Sequence, residues 1–260
     1  MEIPKYKIVL IVGAGAGLSA SLARLFAREG IRVALAARHI EKLGALCTET
    51  GARAFGCNAT EPDEVERLFG LVEREIGVPD VVVYNASGRE RGAFVDLVPA
   101  DVAQAMTVSA FGGFLVAQQA ATRMLPNKHG AILFTGASAS VKGYAQSAPF
   151  AMGKFALRGL AQSLARELSP QGHSRRAFRH RRRHSQRRAL GSGRPAGFDA
   201  RSRRHCLELL ERAAAAAQRL DLGNGIAAVG GEILRQHRHS GAMRSSEPGI
   251  SRFPDVQLHI

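Results

Sequence analysis

A chain of 260 residues, 45% hydrophobic and 22% charged, has the length and apolar content to bury a core, unlike disordered or collagen-like sequences. Cys47, Cys57 and Cys206 have neither disulfide-framework nor metal-ligand spacing, and no apolar run reaches membrane-spanning length, so no metal and no membrane are expected. The net charge of +14 would suggest a polyanionic partner, but it is unevenly spread: 18 basic against 15 acidic residues up to Gly172, then 18 against 7, all 18 of them arginine.

From the N-terminus, MEIPKYK lacks the charged-then-apolar order of a secretory signal. With the unpaired cysteines, this gives the expectation of a reduced, cytoplasmic compartment. KIVLIV (7–12) reads as a buried strand, and SASLARLFAREG as a helix with Leu22, Leu25 and Phe26 on one face and Gly30 placed to stop it. IRVALAA (31–37) and ARAFGCN (52–58) read as the second and third strands. EPDEVERLFGLVEREIG then reads as a helix whose first-turn acids suit the helix dipole. PDVVVYNAS (79–87) is a fourth strand, followed by a helix around 101–124, a fifth strand GAILFTG (130–136) and a helix over 149–168. Strands alternating with helices predict an α/β fold: a Rossmann-type, doubly wound parallel sheet.

The turn GAGAGLS (13–19) lies between the first strand and the first helix, where glycines let backbone N–H groups approach a pyrophosphate. The spacing G-x-G-x-x-G fails because Leu18 stands in the sixth position. G-x-x-x-G-x-G fits better, with Gly13, Gly17 and then Ser19 for the last glycine; Gly15 lies between them. At the end of the second strand stand Ala37 and Arg38, with no acid for a ribose hydroxyl. That favours NADP over NAD, the alternative for Arg38 being a solvated strand-end charge.

The glycine turn, Asn85 in VVVYNAS, and KGYAQSAPFAMGKFALRGLAQSLAREL together resemble the short-chain dehydrogenase/reductase family over residues 5–172. The resemblance implies a sheet of order 3-2-1-4-5-6-7, a nicotinamide cofactor, and hydride transfer involving a small carbonyl, alcohol or activated double bond. It also implies a homo-oligomer assembled partly through the 149–168 helix. Cofactor contacts carried over by resemblance fall on Gly13, Gly15, Gly17, Leu18, Arg38, Asn58 (where the family has an Asp near adenine), Asn85, Ala86 and Lys154. Holding the fourth strand in place is an equal role for Asn85, and Ser87 replaces a family glycine.

The family's catalytic Asn, Ser, Tyr and Lys map unevenly. Lys154 matches the lysine, expected to bind the nicotinamide ribose, but Phe150 stands at the tyrosine position and has no ionisable hydrogen. Ser109 replaces the asparagine that holds a proton-relay water. For the serine the candidates are Ala137 or Ser138, with Ser140 further off; Ser138 is chosen. Tyr144 is the only phenol nearby. Three readings follow: a double-bond reductase served by serine and lysine, a carbonyl reductase with a displaced donor, or a dinucleotide-binding protein without turnover.

The resemblance stops at ARELSPQG, where GHSRRAFRHRRRHSQRR (172–188) begins. Read one nucleotide later, synonymous codons for this stretch permit IRVAHFVIDGGI, the strand and turn that the resemblance requires. The expectation is a dinucleotide-binding domain over 1–172 and a frame-shifted, poorly ordered, Arg-rich tail over 173–260. The C-terminal strands would then be missing or non-native, and the enzyme impaired. ERAAAAAQRLDL has the propensity for a helix. Polyarginine binds phosphate backbones without sequence preference, and the tail holds only Phe178, Phe198 and Phe253 for stacking, so no specific nucleic-acid partner is expected.

Overall fold

The structure is a computed structural model that describes residues 6–127 and 129–168, together with the backbone of a short strand at Ile226–Ala228. The remainder of the arginine-rich segment, including the helix expected in ERAAAAAQRLDL, lies outside the described residues.

The apolar runs form β1 (Ile8–Val12), β2 (Arg32–Ala37), β3 (Arg53–Gly56), β4 (Val81–Tyr84) and β5 (Ala131–Thr135). They pair in parallel in the order β3-β2-β1-β4-β5. β1 and β4 meet in the register Val9↔Val81 to Val12↔Tyr84, so their C-terminal ends finish side by side. These five follow the order implied by the resemblance. The sixth place departs from it: β6 (Ile226–Ala228) pairs antiparallel with β5 over three residues.

Alternation along each strand serves two cores. Leu10, Val12, Val82, Tyr84, Ile132 and Phe134 face one side, covered by α3 (Pro62–Glu75), α5 (Gly112–Met124) and α6 (Ala148–Leu168). Val9, Ile11, Val33, Leu35, Val83 and Leu133 face the other, covered by α1 (Leu18–Arg28) and α2 (Gly44–Thr50). A parallel sheet buried on both faces explains why the strands read as nearly continuous apolar runs.

The helix expected around 101–124 starts at α4 (Pro99–Met106) and continues into α5 through a π-turn, Thr107–Phe111. This continuous 26-residue helix is long and apolar enough to cross a membrane by length and composition, which corrects the expectation from apolar runs. Many small residues raise its mean hydropathy without a visible apolar run. Here Leu115, Val116, Ala117 and Ala120 are buried in the core instead. α2 was not expected from the sequence; Leu46, with Leu43 of the turn just before it, seats it on the core, and Glu49 forms a two-point ion pair with Arg24 of α1.

Candidate active site

Ligands of doubly wound sheets bind where neighbouring crossovers depart to opposite faces, beyond the carboxyl ends of the strands. Here that place is the end of β1 and β4. Gly13 follows β1 with φ +83, and a Cβ there would stand 2.3 Å from the Ala86 amide nitrogen, so only glycine fits. A Cβ at Gly15 would meet nothing within 4 Å. α1 begins at Leu18 with no side-chain cap from Gly17 and no acidic residue in its first turn. Its positive end is therefore uncompensated, as an anion site requires. Leu18 itself is buried in the core, so its side chain is not available to a ligand and only its backbone remains at the helix start.

A chain of hydrogen bonds ties this turn to Lys154. Ser19 Oγ donates to the Gly13 carbonyl at 3.1 Å. Asn85 Nδ2 donates to Ser19 Oγ at 2.7 Å and to the Gly13 carbonyl at 3.2 Å. Thr135 Oγ1 donates to Asn85 Oδ1 at 2.8 Å, and Lys154 Nζ donates to the Thr135 carbonyl at 2.8 Å. Asn85 thus spends its side chain on protein partners and acts as the clamp between β1, β4 and β5. We expect Asn85→Ala to lower stability by about 1–3 kcal/mol, because it leaves buried partners unmatched. Urea unfolding checks the loss, and dinucleotide affinity should fall with it as the glycine turn relaxes.

Lys154 is only 3% exposed. Burial, reinforced by the positive Arg89, pulls its pKa down to about 8. Its Nζ lies 5.7 Å from the centroid of the Phe150 ring, and the Arg89 guanidinium carbon lies 5.0 Å from the same centroid. The structure therefore brings Phe150 and Lys154 together and adds Arg89, which the sequence reading did not single out. Nothing in the spacing signals Arg89, because the contact joins the loop after β4 to the first turn of α6.

The serines separate by environment. Ser140 is buried and its Oγ accepts from the Ala137 amide at 3.1 Å, closing its own turn. Ser138 is exposed and stands first among the groups that lower the pKa of the Tyr144 phenol. The Ser138 hydroxyl, with the Lys142 ammonium 4.9 Å from the Tyr144 ring centroid, holds the phenol below its ordinary pKa. The Tyr144 loop turns at Gln146, whose φ of 55 lies in the left-handed region, and the Gln146 carbonyl accepts from Gly92 at 3.4 Å. Ser109 is fully buried in the π-turn and accepts from the Gly88 amide at 3.0 Å, so its hydroxyl fixes the loop that carries Arg89.

Two predicted cofactor positions lie along the other side of the crevice. Arg38 is exposed at the end of β2. Asn58 Oδ1 accepts from Thr60 through its amide at 3.3 Å and its hydroxyl at 3.0 Å, which leaves Nδ2 as the free donor.

Residues 7–174 match the family model described as short chain dehydrogenase. The chain belongs to that family. It is 29% identical over 168 residues to "Borneol dehydrogenase, mitochondrial" of Lavandula x intermedia, a match covering 64% of this chain and 65% of that protein. It is 31% identical over 161 residues to the 3-oxoacyl-(acyl-carrier-protein) reductase MabA of Mycobacterium tuberculosis, covering 62% and 63%. Among solved structures, a short-chain dehydrogenase from Rhodopseudomonas palustris superposes with a TM-score of 0.59 at 31% identity, covering 63% of this chain and 79% of that one. A variant of actinorhodin polyketide ketoreductase, solved with NADPH, gives 0.60 at 27% identity, covering 62% and 65%. The matches span less than two thirds of the length of the first curated relatives. Members of the family use NAD or NADP, usually act on small substrates and usually form homo-oligomers.

Proposed function

We propose that this chain is an NADP(H)-dependent oxidoreductase acting on a small carbonyl or alcohol, with Tyr144 replacing the phenol missing at Phe150. The observation that carries this reading is the exposed Tyr144 phenol, which Ser138 and Lys142 hold below its ordinary pKa, in a chain whose Lys154 is buried and bonded to the Thr135 carbonyl.

Bound NADPH would supply a hydride. The Gly13–Gly17 turn and the start of α1 would hold its pyrophosphate, Lys154 its ribose hydroxyls, and Arg38 its 2′-phosphate. Asn58 Nδ2 is the donor left for the adenine. Tyr144 would give its proton to the substrate oxygen, after which the Ser138 hydroxyl and the Lys142 ammonium would stabilise the phenolate. Exposed Phe111, Phe114, Met152 and Phe155, on and beside α6, support a homo-oligomeric assembly there.

Fluorescence titration tests the cofactor half. The full chain should bind NADPH about tenfold or more tightly than NADH, and Arg38→Ala should erase that difference, because a guanidinium–phosphate pair is a strong charge-assisted contact. Absence of NADPH binding would overturn the reading. Phe150 itself favours a second one, dinucleotide binding without turnover, in which NADPH binds but no carbonyl is reduced.

The family match ends two residues beyond Gly172, which supports an extra nucleotide near that codon. Resequencing the junction decides it: bases that forbid the shifted reading end the idea.

A further inference from the structure

Two cations meet at one aromatic ring at the proposed substrate end of the site. Arg89 and Lys154 stand 5.0 and 5.7 Å from the centroid of the Phe150 ring. Among the described residues neither takes part in an ion pair, whereas Arg24, Arg53, Arg67 and Arg123 each find a glutamate. Lys154 spends a hydrogen bond on the Thr135 carbonyl. Among the described residues, the contact shown for the Arg89 guanidinium is the Phe150 ring face.

Arg89 is exposed, but the backbone next to it is held in place. A Cβ at Gly88 would stand 2.4 Å from Ala105 Cα, so this backbone is wedged against α4, and the Gly88 amide is pinned to Ser109. Ser109 lies beneath Gly153 of α6, where a Cβ would stand 2.6 Å from the serine Cβ. The loop bearing Arg89 is thus fixed to the helix bearing Phe150 and Lys154. Two residues along, the buried Ser87 Oγ has no hydrogen-bond partner among the described residues.

A planar guanidinium that lies over a ring and has no ion-pair partner among the described residues can take a carboxylate in two-point geometry. The cofactor's own anions are accounted for at the glycine turn and Arg38, across the crevice. We propose that Arg89 is a substrate-specificity residue that binds a carboxylate on the substrate, so that this chain acts on small keto acids or hydroxy acids rather than neutral carbonyls. This inference rests on the reading of the site as the substrate end of an oxidoreductase.

Isothermal titration of the full chain with levulinate, a keto acid, and 2-pentanone, its neutral counterpart, tests it, with and without NADPH. Levulinate should bind measurably, Arg89→Gln should weaken it about tenfold or more, and Arg89→Lys should retain part of the affinity. 2-Pentanone affinity should be unchanged by either variant. A second readout is the Lys154 titration followed by NMR, which should move upward in Arg89→Gln and upward in the native chain when levulinate is added. Equal levulinate affinity in the native chain and Arg89→Gln, or no levulinate binding at all, overturns the inference. Failure to bind NADPH, with levulinate still captured by Arg89, would instead count against the oxidoreductase reading and leave the carboxylate site standing.

Discussion

Lys154→Met is expected to stabilise the domain at neutral pH and to flatten its rise in stability between about pH 8 and 10.5. The ammonium is buried, with 3% of the residue exposed, and burial followed by the charge of Arg89 lowers its pKa from 10.5 to about 8. Between those values the unfolded chain carries the proton and the folded chain has released it. Stability therefore rises with pH across that window, and the penalty is fully present below pH 8. A shift of this size corresponds to roughly 3 kcal/mol. Losing the bond to the Thr135 carbonyl offsets about 1 kcal/mol of the gain, so the variant should be about 2 kcal/mol more stable at pH 7. Urea unfolding from pH 6.5 to 10.5 checks this; parallel curves for the two proteins would refute it. The same substitution should weaken NADPH binding, the stability–function trade expected of a charge buried for a ligand rather than for the fold.

The origin of that penalty shows which parts of the molecule can be read from sequence. β1 to β5, α1, α3 and α6 announce themselves because burial on a fixed face imposes a period on the apolar residues. α2 does not: IEKLGALCTET has only Leu43 and Leu46 buried, and the Arg24–Glu49 pair that braces it is invisible without the fold. The π-turn that drives Ser109 inward has no residue signature either. Within the site, Gly13, Asn85 and Lys154 were legible because each sits at a fixed offset from a strand or helix. The choice between Ser138 and Ser140 was not, since it depends on which hydroxyl closes a three-residue turn. Arg89 was still less so, because its partner Phe150 lies on another loop-to-helix junction.

Tyr144→Phe is expected to reduce carbonyl turnover by about 10²–10⁴-fold while leaving NADPH affinity unchanged. The family's proton donor position is filled by Phe150, which supplies packing for Arg89 and Lys154 but no hydrogen to transfer. Tyr144 has the opposite properties. It is exposed, and its phenol is held below the ordinary range first by the Ser138 hydroxyl and then by Lys142. Each of those contacts stabilises the phenolate that proton donation leaves behind, which is what a general acid needs after the step. A merely structural tyrosine would alter stability without altering the pH dependence of kcat; a proton donor removes the alkaline limb of the profile when it is lost. Phe150→Tyr supplies the decisive complement. The Phe150 ring is only partly buried, so a hydroxyl at its edge is accommodated, and Lys154 lies four residues on along α6, facing the same ring. In the Tyr144→Phe background this second substitution should restore turnover, because it returns a phenol to the side of the buried ammonium. Full turnover in Tyr144→Phe alone would exclude the displaced donor. Turnover that appears only with Phe150→Tyr, and is absent from the native chain, would assign the protein to dinucleotide binding without chemistry.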